Sequence, residues 1–205
     1  MEFDYRLKTP FAAVISGMPL CGKSTLTKEI LIHRHELFDK ASDSITWCYT
    51  EPQPNLFREL ETKIPTIQFH RGLPTEYEPN SILVLDDLQS EAGKSEDVMA
   101  AFTRKCHHAN ICIFILVQNF FHKNLRGITT NCHYICLFRN PRDSSTVSYL
   151  GRQLNRGKKH TALEQAYDET VPHGHIFIDC SQNQEDKFRI RSSIFPEFSN
   201  IYCNN

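Results

Sequence analysis

Short unbroken apolar runs alternate along this chain with stretches whose apolar residues recur every three or four positions. Phe11-Ala12-Ala13-Val14-Ile15 reads as a strand buried on both faces, and Leu26, Ile30, His33 and Leu37 then trace one face of a helix. Residues 44–50 put Ile45, Trp47 and Tyr49 on one side of a strand. Pro52 and Pro54 break the chain, and Leu56, Phe57, Leu60 and Ile64 predict a second helix. A strand over 66–69 follows, then a loop marked by Gly72, Pro74, Pro79 and Asn80. Ile82-Leu83-Val84-Leu85 is a doubly buried strand ending at Asp86-Asp87, and Val98, Phe102 and Cys106 predict another helix. The most apolar strand, 111–117, ends at Gln118-Asn119, and a strand over 133–138 ends near Arg139-Asn140-Pro141-Arg142. Strand and helix alternation of this kind predicts an α/β fold: a mainly parallel sheet with helices on both faces and ligands beyond the carboxyl ends of its strands.

The C-terminal third changes character. Asp143, Ser144 or Ser145 can cap a helix that turns Val147, Leu150 and Leu154 inward and stops at Gly157, and Thr161-x-x-Glu164 is a capping-box start for another. Residues 175–180 and 187–191 alternate around a polar turn, which predicts a closing β-hairpin. The 205 residues fit a single domain, 1–205, with no internal repeat.

Composition narrows the partners little. A net charge of −1 gives no bulk attraction to a polyanion, so nucleic-acid contact has to be local. Met1 to Tyr5 has no basic region before an apolar core, and the longest apolar run is far short of a membrane span, so the expectation is a protein that is neither secreted nor inserted in a membrane. Its eight cysteines then read as reduced thiols of the cytosol or nucleus. Cys106-His107-His108 with Cys112, and Cys132-His133 with Cys136, are of metal-ligand type, but no C-x-x-C pair is present and core cysteines are the default reading.

The candidate chemistry begins at Gly17-Met18-Pro19-Leu20-Cys21-Gly22-Lys23-Ser24, which fits the phosphate-binding pattern G-x-x-x-x-G-K-[ST] between an apolar strand and a helix, with Thr25 next along the helix. The glycines let the backbone curl into an anion nest, Lys23 reaches the outer phosphates, and the Ser24 hydroxyl binds a magnesium ion. A nucleoside triphosphate, ATP, with Mg2+ is therefore expected. Asp86 suits the carboxylate that holds magnesium through its shell, Asp87 the group that orients or deprotonates attacking water, and Gln118 a sensor of the terminal phosphate. Arg104 and Arg126 are the candidate cations for developing charge, ahead of Arg139 and Arg142. Arg139, Arg142, Arg152, Arg156, Lys158 and Lys159 surround one acid, Asp143, and form the candidate contact to a phosphate backbone. Cys21 lies inside the loop, so its alkylation is expected to block nucleotide.

Taken together, the chain resembles the FtsK/HerA superfamily of DNA-pumping ATPases, and within it the genome-packaging ATPases of Polinton/Maverick elements, adintoviruses and related double-stranded DNA viruses. The likeness rests on 17–24 and 82–87, on His107-His108 leading into 113–122, on Phe138-Arg139-Asn140-Pro141-Arg142-Asp143, and on 175–179 with 188–191 and Ile194-Phe195-Pro196. The resemblance implies a P-loop NTPase of RecA/FtsK-like fold. It further implies a homo-oligomeric ring, pentameric or hexameric, that binds ATP between neighbours and drives double-stranded DNA into a capsid. The resemblance also implies a trans arginine, a capsid or portal partner, and a place in the host nucleus or cytoplasm or with the virion. Many relatives carry Asp-Glu where this chain has Asp86-Asp87, which implies slower hydrolysis; cellular members place the finger arginine where it has His107-His108, leaving Arg104 as the nearest substitute. Two other readings begin from the same loop. One is a small-molecule P-loop kinase, against which Gln118 at a strand tip favours hydrolysis. The other is an ATP-gated assembly scaffold without efficient hydrolysis. No Asn-Lys-x-Asp motif supports a GTPase.

Overall fold

A computed structural model describes residues 4–92, 94–100, 106–155 and 161–203. Strands β1 (Ala12–Ser16), β2 (Ile45–Tyr49), β3 (Ile67–Arg71), β4 (Ile82–Asp86), β5 (Cys112–Val117) and β6 (Tyr134–Phe138) run parallel. β7 (His175–Asp179), β8 (Ile190–Arg191) and β9 (Ile201–Tyr202) extend the same sheet antiparallel, in the order β3-β2-β4-β5-β1-β6-β7-β8-β9. The central strands are apolar throughout because both faces are covered. The two-residue period of a strand sends Val14, Leu83, Leu85, Ile113, Ile115 and Ile135 to one core, and Ala13, Ile15, Ile82, Val84, Phe114 and Cys136 to the other. The second core is closed by α1 (Lys23–Ile32), α2 (Arg34–Leu37) and α3 (Pro54–Lys63), through Leu26, Ile30, Leu31, Leu37, Leu60 and Ile64. The first is closed from α4 (Gln89–Ala92) onward. Its later helices are α5 (Glu96–Ala100), α6 (Cys106–Ala109), α7 (Arg126–Thr130), α8 (Ser145–Leu154) and α9 (Thr161–Asp168).

The mainly parallel sheet with helices on both faces is as expected; several local features differ. The helix expected through Leu37 breaks at His33 (φ −95°, ψ 18°), and Phe38 leaves it to bridge Leu7. Lys187 and Phe188 lie in a 3-10 turn, Asp186–Phe188, where Arg189 donates to the carbonyls of Asp179, Ser181 and Gln184, so the return strand shortens to two residues. β9, α4 and α7 have no counterpart in the sequence pattern, being too short to show a period. The helix expected through Val98, Phe102 and Cys106 is α5 and α6 with residues 101–105 between them, outside the described residues. Asp143 caps α8: its Oδ1 accepts from the Thr146 N–H at 3.1 Å, and its hydrogen bonds from Ser145 and Thr146 lower its pKa.

A candidate nucleotide site at the strand ends

The loop after β1 is shaped by contacts that leave no room for side chains. Gly17 N–H donates to the Val117 carbonyl at 3.1 Å, tying the loop to the end of β5. A Cβ on Gly17 would stand 2.6 Å from Cys21 Sγ and 2.6 Å from Phe138 Cβ, so only glycine fits there; Gly22, at φ 113°, occupies backbone space that L side chains avoid. Lys23 Nζ arcs back and donates to the carbonyls of Gly17 (2.8 Å) and Met18 (3.0 Å). The ten-residue α1 starts with no side-chain cap and no acid in its first turn. Its first N–H groups are thus directed at whatever anion the loop receives.

Sheet order supplies the rest. β5 lies between β1 and β4, with Ser16 level with Val117 and Leu116 level with Asp86, so Gln118 emerges between the loop and the acids. Ser24 Oγ donates to Asp86 Oδ2 at 3.1 Å, and Gln53 Nε2 donates to the same oxygen at 2.9 Å. Asp86 is only 5% exposed. Burial raises its pKa; the Ser24 bond opposes that, the Asp87 charge adds to it, and the Gln53 bond and Lys23 charge pull it down. A desolvated carboxylate beside a serine hydroxyl is the two-ligand oxygen set that Mg2+ takes when phosphates and waters fill its other positions. Asp87, exposed and in the left-handed region (φ 57°), accepts from Gln118 Nε2 at 3.0 Å through Oδ1, and its carbonyl accepts from Thr50 Oγ1 at 3.0 Å. The Gln118 N–H donates to Gln89 Oε1 at 2.9 Å. Lys23, Ser24, Asp86, Asp87 and Gln118 line a cleft of about 500 Å³ whose walls include Pro19, Thr25 and Gln53.

The loop, Asp86, Asp87 and Gln118 therefore converge. Arg126 does not: it is exposed at the start of α7 in a separate groove of about 1010 Å³, shared with Lys123, Tyr149 and Arg152. Arg104 lies outside the described residues, as do 156–160 of the basic stretch. Arg139 donates to the Thr170 carbonyl at 2.6 Å and so serves the fold. Cys21 is buried and burial raises its thiol pKa, so it is a slower target for alkylation than its place in the loop suggested. Cys106, Cys112 and Cys136 are buried thiols pushed up to about 12, and among the described residues no group of three His, Cys, Asp or Glu is arranged to hold a metal. Sequence reasoning missed Thr50, Gln53 and Gln89. Thr50 and Gln53 follow β2, and the rule that ligands gather beyond parallel strand ends could have drawn attention to them.

Comparison with known proteins agrees with this architecture. The DNA-packaging ATPase B204 of Sulfolobus turreted icosahedral virus superposes with a TM-score of 0.57 at 13% identity, over 96% of this chain and 98% of that one. The genome-packaging NTPase B204 of Sulfolobus turreted icosahedral virus 2, in complex with ATP-γS, gives 0.50 at 13% identity over 94% and 97%. The cytoplasmic domain of the type VII secretion ATPase EccC of Thermomonospora curvata gives 0.55 at 12% identity, over 90% of this chain and 26% of that one. At such identities the likeness is one of fold, that of P-loop NTPases. No curated protein matches the chain. The family model described as poxvirus A32 protein matches residues 55–204, more than half of the chain, taking in Asp86, Asp87 and Gln118 but not the phosphate loop, and on that match the chain belongs to the poxvirus A32 protein family.

Proposed function

We propose that this chain is a magnesium-dependent ATPase that packages double-stranded DNA of a virus or virus-like transposon of the FtsK/HerA type, working as a homo-oligomeric ring, pentameric or hexameric. The observation that carries the reading is the pair of hydrogen bonds Ser24–Asp86 and Gln118–Asp87, made side by side at the ends of β4 and β5 and against the loop. In that arrangement the loop N–H groups and Lys23 hold phosphate oxygens, Ser24 and Asp86 hold the ion, and Asp87 with Gln118 orients water. Bound magnesium neutralises charge on the outer phosphates. Membership of the poxvirus A32 family and the fold shared with the viral packaging enzymes support genome packaging over transfer to a small acceptor.

A ring would supply the missing cation. Among the described residues lining the cleft Lys23 is the one cation, and a charge-stabilising arginine from a neighbour, Arg126 or Arg104, would complete the site; Arg126 is exposed and lines a different groove. DNA contact is assigned to the groove beside Arg126. Lys123, Arg126 and Arg152 line it with exposed Phe121 and Tyr149, and no Asp or Glu is among its described lining residues. A capsid or portal protein is the expected partner, in the host nucleus or cytoplasm or with the virion. The test is ATP turnover with and without duplex DNA, for the wild type, Lys23→Ala and Asp87→Asn. Stimulation by DNA that both variants abolish is expected. Stimulation only by a small-molecule acceptor would establish a kinase, and phosphate release unchanged by both substitutions would leave a nucleotide-gated scaffold.

A further inference from the structure

Beside the phosphate cleft lies a second recess of about 430 Å³, on the α1 side of the sheet. The two share Leu20, Gly22 and Thr25 as walls. Ser24, Asp86, Asp87 and Gln118 stand in the cleft alone, so the terminal phosphate and its ion belong at that end. The nucleoside end of a triphosphate must then leave over Thr25 and Leu20, into the recess.

Two features there are unexplained by the fold. Leu20 projects from the tip of the loop at 96% exposure, an aliphatic side chain that covers nothing. Phe138, itself buried, is another residue lining the recess, with its ring 3.4 Å from where a Cβ on Gly22 would stand. His175 is the cross-strand neighbour of Phe138, with ring centroids 5.4 Å apart. The imidazole lines the recess, yet its Nε2 is buried with no hydrogen-bond partner. Burial lowers its pKa to about 4, so the ring is neutral near pH 7, with one nitrogen a donor and the other an acceptor. A buried polar atom left unpaired is costly, a deficit that a ligand with a polar edge can remove.

We propose that this recess holds the nucleobase of the bound triphosphate, against Leu20 and the wall that Phe138 helps to form, with His175 as the polar contact that makes binding depend on the base. The proposal rests on the nucleotide reading of the loop and extends it to a specificity residue outside any phosphate-binding motif. A recess walled by aliphatic and aromatic side chains suits an unsaturated ring. The base's polar edge supplies the partner that Nε2 lacks within the fold. His173 and Glu29 complete the polar rim.

The experiment compares Mg-ATP with Mg-tripolyphosphate, which has the same phosphates and no base, by titration calorimetry on the full chain. The wild type should bind ATP about tenfold or more tightly than tripolyphosphate, the factor that roughly 1.4 kcal/mol of base contacts provides. His175→Phe should remove most of that preference while tripolyphosphate affinity stays within about twofold, a readout that also reports an intact loop; His175→Gln, which keeps a polar atom, should restore part of it. On the wild type, ATP should move the His175 imidazole 15N resonances and tripolyphosphate should leave them in place. Equal affinity of the wild type for both ligands, a preference untouched by His175→Phe, or identical resonance shifts with both ligands would overturn the base site and leave the phosphate site standing. Failure of the wild type to bind either ligand would overturn the nucleotide reading itself.

Discussion

Asp86→Asn should make the ligand-free protein more stable and its magnesium response weaker. Asp86 is 5% exposed, and both of its hydrogen bonds, from Ser24 Oγ at 3.1 Å and Gln53 Nε2 at 2.9 Å, converge on one oxygen. An amide oxygen can accept both. The substitution therefore keeps the bonding pattern, weakened because the acceptor is neutral, and removes the two unfavourable contributions: burial of the charge and repulsion by Asp87. The raised pKa states which side wins, since bonds strong enough to offset burial would have lowered it. A gain of about 1 kcal/mol is expected, the size usual when a functional site is relieved of strain. In a chain of 205 residues it corresponds to a rise in Tm of roughly 2–4 °C. A carboxyl whose folded pKa lies above its unfolded value of 3.8 contributes stability at low pH and loses it as pH rises through the folded pKa. Wild type and variant should therefore converge toward pH 4 and separate above it, the variant being the more stable. The assay is thermal and urea unfolding in chelator across pH 4 to 8, followed by the same melts with Mg-ATP, which should stabilise the wild type more. A variant less stable than the wild type at pH 7 in chelator, or a gap that ignores pH, would show that Asp86 is not a destabilising buried charge.

Gly17→Ala should destabilise the fold by about 1–3 kcal/mol and abolish nucleotide binding, because its Cβ would meet Cys21 Sγ and Phe138 Cβ at 2.6 Å; urea unfolding and ATP titration test both halves. Acid should cost the wild type stability through His175, whose folded pKa of about 4 lies below the unfolded 6.5. The loss begins below pH 6.5 and levels near 4, totalling about 1–3 kcal/mol, and it should be absent from His175→Phe when the two unfolding curves are subtracted. Lys123→Ala and Arg152→Ala should each weaken duplex binding and reduce the slope of log K against log salt by about 1; an unchanged slope in both would remove the groove beside α7 from the DNA path. Iodoacetamide should modify Cys203, the exposed thiol, well before Cys21, with ATP binding surviving the first modification; mass spectrometry of the time course reads the order.

Much of the architecture is legible in the residues themselves. Runs such as Val14-Ile15, Leu83-Val84-Leu85 and Ile113 to Val117 have no polar face, which only a sheet covered on both sides can bury, and the loop pattern at 17–24 names its chemistry because few sequences let a backbone wrap phosphate. What the residues leave open is adjacency. That β5 lies between β1 and β4, and so sets Gln118 against Asp87, depends on strand order, which the local period of a strand does not encode. Gln53 is a polar residue between two prolines until β2 aligns beside β4 and turns it onto Asp86. Arg126 and Arg139 look alike in sequence, yet one faces an open groove and the other is bonded to the Thr170 carbonyl. His175 reads as the first residue of a strand, and only its pairing with Phe138 sets it in the wall of the recess beside the loop. Period thus determined the elements, and the loop motif the expected ligand class, because both follow from burial and backbone geometry within short segments. The tertiary structure alone decided which side chains share a site, because a site is made of contacts between segments far apart in the chain.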